Sequence, residues 1–290
     1  MLVELSEKRD FQVILTTHSR HILDELSDSA KIHWIRDGKR VEEENFDEVK
    51  VLMEIGALDK GDRLRSGDTK CVLLTEDTDT KPIKTLLKAS GFRLDSVDIW
   101  SYNGCSKVDT ALVLAAFIRE HASATEILLH RDKDYLTEQE AEEFENKIKA
   151  ANINCFLTNG TDAETHFLLP EHIHHLYSSI SLEQTSEIIE EITNSVEDKS
   201  IKKFINARTK FELEAYYRGE KGKPDAGEIA LSAMNAYKQD IIRYRHGKTV
   251  IRSLKNKLQQ EIGGNIDLFH PTSWVTVTKL QDIASRIWHS

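Results

Sequence analysis

The chain has 290 residues, 39% of them hydrophobic and 30% charged, with a formal net charge of −10; this excludes a disordered or fibrous protein and allows one large core or two smaller ones. No apolar run approaches the ~18–20 residues of a membrane span and no basic-then-apolar leader precedes a cleavage site, so a cytoplasmic protein without a membrane partner is expected. The charge is uneven: residues 1–170 hold 22 Lys/Arg against 33 Asp/Glu, whereas residues 199–257 hold 15 against 6, as a metal-loaded acidic centre beside a phosphate-gripping surface would, or two solvated faces that neutralise each other.

Phe11–Thr17 is a short run rich in β-branched residues and predicts a buried strand, followed by His18-Ser19 and an amphipathic stretch over 21–26. Asp37-Gly38 predicts a hairpin turn between strands at 31–35 and 40–41. The helix-like stretch 49–57 leads to a polar, glycine-containing segment at 60–69 that reads as a boundary. Beyond it the expected order is strand 71–76, helix 81–89, strand 96–101, helix 109–118, strand 126–130, a helix capped by Thr137 and Glu140, and strand 153–157. This alternation predicts an α/β fold with a parallel sheet and crossover helices. From 181 to 244 the pattern is mostly helical, broken over 219–227, and 248–262 predicts a basic amphipathic helix.

In an open α/β sheet the reactive groups gather at the carboxyl ends of the strands. Three predicted strand ends carry acids: Glu76 with Asp77 and Asp79, Asp132 with Asp134, and Glu164 with Asp162. A lone acid there is usually a helix cap or a solvated residue. Three in succession suit a hard divalent cation, which takes oxygen ligands. Residues two apart on an extended chain point the same way, so Asp132 and Asp134 are expected to face one ion.

The runs CVLLTEDTD, NGCSK, ILLHRDKD and DAETHFLLP resemble the metal-binding motifs of a Toprim domain, and more narrowly those of the second class of OLD (overcoming lysogenization defect) nucleases. The resemblance implies a Toprim-like parallel sheet with flanking helices plus a mostly helical subdomain. It divides the chain into a remnant of an ABC-type ATPase domain (1–66), a Toprim catalytic domain (67–180), a helical subdomain (181–245) and a C-terminal segment (246–290). It implies Glu76, Asp132, Asp134 and Glu164 as ligands of two Mg²⁺ or Mn²⁺ ions, with Lys248 of HGKTV as the catalytic lysine beside Glu76 and Asp132. The family commonly carries a second acid four residues after the first glutamate; this chain has Thr80 there, and Asp79, one position earlier, is expected to take that metal-ligand role unless the second ion is held differently. VILTTHS resembles the switch-histidine strand of the ATPase, which makes His18 a sensor of the γ-phosphate. No GxxxxGK[ST] loop occurs in the chain, so ATP hydrolysis is not expected from it alone.

The resemblance implies a metal-dependent DNA endonuclease, a homo-oligomer working with an ATPase domain or subunit, in phage defence or DNA repair. Lys202, Lys203, Arg208, Lys210, Arg243, Arg245, Arg252, Lys255 and Lys257 are the candidates for DNA backbone contacts. A non-catalytic regulatory or assembly module, or a primase- or topoisomerase-like Toprim chemistry, stays open. His172, His174 and His175 are expected to be satisfied or exposed imidazoles at a helix start, Cys105 a loop residue rather than a nucleophile, and Trp34, Trp100, Trp274 and Trp288 core residues. The cysteines, three and widely spaced, are expected to be reduced.

Overall fold

The computed structural model describes residues 67–102 and 108–288, with the short pieces 13–16, 33, 35–36, 39–40 and 64. Two two-residue strands, β1 (Ile35–Arg36) and β2 (Lys39–Arg40), pair antiparallel as the hairpin signal predicts. The predicted first strand is corrected: residues 13–16 belong to no strand, and Ile14 is 80% exposed. An apolar run becomes a strand only where a neighbour takes up its backbone hydrogen bonds, and no described strand pairs with this one. His18, Asp37-Gly38, Trp34, the 103–107 loop with Cys105, and the helices expected at 21–26 and 49–57 lie outside the described residues.

Four strands form the central sheet: β3 (Cys71–Thr75), β4 (Val97–Ser101), β5 (Glu126–Arg131) and β6 (Asn154–Leu157). Their order is β4-β3-β5-β6 and every pairing is parallel. Near-continuous apolar runs such as Cys71–Leu74 suit strands covered on both faces. Cys71, Leu73, Leu128 and Phe156 project to one face, against α1 (Lys81–Ala89), α9 (Gly247–Ile262) and α10 (Thr278–Trp288). Val72, Leu74, Ile127, Leu129 and Cys155 project to the other, against α2 (Val108–His121) and α3 (Glu138–Ala150). The free thiols of Cys71 and Cys155 are therefore buried in separate layers. No helix among the described residues is long and apolar enough to cross a membrane.

The capping box at α3 is formed: Thr137 Oγ1 accepts the Glu140 N–H at 3.2 Å, and the Glu140 carboxylate accepts the Thr137 N–H at 2.8 Å. Thr137→Ala is expected to lower stability by about 1 kcal/mol, read as a shift of the urea unfolding midpoint with the slope unchanged.

Past β6 the chain forms α4 (Pro170–Leu176), α5 (Leu182–Ser195), α6 (Glu197–Tyr217), α7 (Ala226–Gln239) and the single turn α8 (Ile241–Tyr244). Helices α6 and α7 form a hairpin whose small core holds Phe204, Ala233 and Tyr237 with Tyr135. Tyr135, Phe204 and Tyr244 stack at successive ring separations of 4.6 Å. His172 is buried and satisfied, Nδ1 by Thr272 Oγ1 and Nε2 by the Leu268 carbonyl, both at 2.8 Å. Trp100 is buried and Trp288 packs edge-on to Phe92. Trp274 is corrected: it is 51% exposed, in a 3₁₀ turn between α9 and α10 that carries only its neighbour Val275 into the core.

Candidate functional site

The chain goes from β3 outward to β4 and then back across β3 to β5, so the sheet order reverses between β3 and β5. Crossovers leave in opposite directions there and open a crevice at the carboxyl ends. Thr75 pairs with His130 at the rim, and two residues further along each chain stand Asp77 and Asp132. The Lys248 ammonium lies between them, Nζ 2.9 Å from Asp132 Oδ2 and 3.2 Å from Asp77 Oδ1.

Lys248 reaches this place because the first turn of α9 is clamped to the loop after β6. Asp162 Oδ2 accepts the Lys248 N–H at 3.0 Å, a carboxylate at a helix N-terminus. Thr161 Oγ1 donates to the Arg245 carbonyl at 2.8 Å, and the His246 side chain caps the helix by accepting the Thr249 N–H. Gly247 is buried in the seam: a Cβ there would collide with Asp162 Oδ1 and lie 2.7 Å from Thr165 Cγ2 and 2.8 Å from the Thr165 nitrogen. Asp132 is held too, Oδ1 accepting the Ala163 N–H at 3.0 Å.

More carboxyl groups converge here than one ammonium neutralises. Burial, then the charges of Asp132 and Glu76, push Asp134 up to about 7. Burial, then Asp162, push Glu164 up to about 8, and its Oε2 has no hydrogen-bond partner among the described residues. Burial also raises Glu76, with Asp132 and Asp77 adding and Arg131 and Lys248 opposing. Burial acts to lower Lys248, but Asp132, Asp77 and Glu164 outweigh it and hold the ammonium charged. An orphaned buried carboxyl oxygen among acids that resist ionisation is the donor set a divalent cation fits. Asp77, His130 and Asp132 each offer one ligand atom, all within 4.8 Å of one another.

Several expected residues take other roles. Asp79 is exposed and its Oδ1 accepts the Lys81 N–H at the start of α1; Asp77, not Asp79, faces Asp132, because Asp77 continues the alternation of Thr75. The extended Asp132–Asp134 pair is corrected as well. β5 ends at Arg131 and Asp134 turns into the left-handed region at φ 47°, its N–H donating to the Thr161 carbonyl. The run that does alternate is His130–Asp132, and the same two-residue rule applied one step earlier finds it. Among the basic candidates, Arg243 and Arg245 are buried and donate to backbone carbonyls, Arg243 to Asp134 and Leu136, Arg245 to Leu168. Neither presents a guanidinium to a DNA backbone. Arg208 is tied to Glu140 and Glu212, Lys257 pairs with Glu191 and Glu261, and Lys255 lies over the Phe269 ring at 4.2 Å. Lys202, Lys203 and Arg252 are exposed, as is Lys210, which pairs along its helix with Glu214 at 3.8 Å.

The raised carboxyls make a pH prediction. Asp134 and Glu164 bind protons more tightly folded than unfolded, so the stability they retain when protonated is lost as pH rises through about 7 and about 8. His166 and His246, lowered by burial to about 4, act the other way, and the half-proton that each unfolded imidazole still releases above pH 6.5 offsets only about 0.4 kcal/mol apiece. Between pH 6.5 and 8 the metal-free protein should therefore lose on the order of 2 kcal/mol. Scanning calorimetry in a chelator reads this as a falling Tm, and added Mn²⁺ should raise Tm more at pH 8 than at pH 6.5.

Comparison of the chain with known proteins gives no relative: no protein-family model matches it, nor does any curated protein or solved structure.

Proposed function

We propose that this chain is a metal-dependent DNA endonuclease of the Toprim type, most similar in its motifs to the second-class OLD nucleases. One observation carries the reading: a lysine ammonium held between Asp77 and Asp132 in a crevice where the charges of Asp132 and Lys248 also act on Glu76, Asp134 and Glu164. Asp77, Asp132, Asp134, Glu76 and Glu164 are the side chains that would hold Mg²⁺ or Mn²⁺. Bound there, divalent ions supply positive charge at the scissile phosphate and the leaving oxygen. Lys248 keeps its proton on Nζ and offers a further cation to the charge that develops on the phosphoryl oxygens. Lys202, Lys203, Lys210 and Arg252 would take DNA phosphates without reading bases. A homo-oligomer partnered by an ATPase unit, in the cytoplasm, belongs to the same reading.

Nicking of supercoiled plasmid with Mg²⁺ or Mn²⁺, abolished by chelator, is the direct test. Binding through four phosphates should weaken with salt at a log–log slope of about −3 to −4. A folded protein that cleaves no DNA with either ion overturns the nuclease. Asp79, exposed and accepting the Lys81 N–H beside Thr80, favours a second reading, a non-catalytic module with one ion or none. Calorimetric titration with Mn²⁺ separates the two by stoichiometry.

A further inference from the structure

We propose that His130 is a metal ligand through Nε2 and tunes the centre toward a transition-metal ion such as Mn²⁺, at the expense of Mg²⁺ and Ca²⁺; this rests on the metal-centre reading above. The side chain is wholly buried. Its Nε2 has no hydrogen-bond partner among the described residues and lies 3.8 Å from Asp132 Oδ1, too far for a hydrogen bond. Two ligand atoms bound to one ion at about 2.1 Å lie about 3.0 Å apart at right angles and about 4.2 Å apart across it. The observed separation falls between those limits.

The other ring nitrogen is already engaged. Nδ1 is 3.0 Å from Thr75 Oγ1, a hydroxyl that also accepts the Asp77 N–H at 3.2 Å. With Nδ1–H donating to Thr75, Nε2 turns its lone pair toward Asp132, and a hydrogen bond of this kind is what fixes the tautomer of a ligating histidine. Phe156 stacks on the ring at 5.6 Å and holds its plane. The ammonium does not occupy the same ground. Lys248 touches Asp77 Oδ1 and Asp132 Oδ2, whereas Nε2 faces Asp132 Oδ1 at 3.8 Å and Asp77 Oδ2 lies on the Nδ1 side of the ring, 3.6 Å from that nitrogen. Lysine and ion thus use opposite oxygens of Asp132. An imidazole nitrogen beside carboxylates favours transition-metal ions over the hard ions Mg²⁺ and Ca²⁺.

The test is electron spin-echo spectroscopy of Mn²⁺ bound to the full chain, natural or with ¹⁵N-labelled histidine. Nitrogen modulation that changes isotope with the label and disappears in His130→Gln is the expected result. Competition titration should show the Mn²⁺-over-Mg²⁺ preference falling about tenfold in His130→Gln. Bound Mn²⁺ without histidine nitrogen coupling, or an unchanged preference in the variant, overturns the proposal and leaves the metal centre standing. Failure of Mn²⁺ to bind at all overturns both. The labelled native protein gives its answer even where the variant does not fold.

Discussion

Asp132→Asn should reduce metal-dependent DNA cleavage by about 10²–10³-fold, the equivalent of about 3–4 kcal/mol of transition-state stabilisation. Asp132 is the acid on which the crevice converges: Lys248 pairs with it, Ala163 donates to it and its charge raises Glu76, Asp134 and Asp162. Asparagine retains a carbonyl for the Ala163 N–H, so the exchange removes the charge while sparing the fold, which circular dichroism checks. It also removes one source of repulsion from Asp134 and Glu164, so the loss of stability between pH 6.5 and 8 should shrink in parallel. Plasmid nicking measured over a range of Mn²⁺ concentrations separates weakened metal affinity from slower chemistry. Undiminished cleavage would remove Asp132 from the centre.

Gly247→Ala should destabilise the protein by about 3 kcal/mol, although alanine is the better helix former by about 1 kcal/mol. The added methyl would enter the space of Asp162 Oδ1 and Thr165, and the backbone nitrogen of Thr165 has nowhere to retreat within its own turn. Relief requires the first turn of α9 to lift, carrying Lys248 away from Asp77 and Asp132. Guanidinium unfolding and cleavage should therefore fail together. If Gly247→Ala instead made the protein more stable, the seam between α9 and the loop after β6 would be looser than described.

The sheet is legible in the sequence because its strands are covered on both faces and so read as short unbroken apolar runs, each closed by a polar loop; Cys71–Leu74 and Ile127–Leu129 are examples. The capping box at Thr137 is legible because it is written in neighbouring residues. Lys248 lies far along the chain from Asp77 and Asp132, and only resemblance links them. Asp79 draws attention away from Asp77 because spacing by itself does not tell where β3 stops and α1 starts. Asp79 is spent on the helix, and Asp77 inherits the direction of the strand. His130 is hidden inside an apolar strand, where an imidazole looks like filling. Arg243 and Arg245 carry the charge expected of a DNA surface, but their burial, with Leu136 and Leu168 taking up their hydrogen bonds, is a property of the packed chain that a count of basic residues does not contain.

The α6–α7 hairpin leaves the body and comes home at nearly the same point, the His246 N–H donating to Ser200 Oγ at 3.2 Å. Its tip, residues 218–225, is exposed save for the half-sheltered Pro224. A single cut there would put every acid of the crevice on one polypeptide and the ammonium on another, with neither piece complete alone. That tip is the natural joint for dividing the molecule into two complementing fragments whose reunion restores the set.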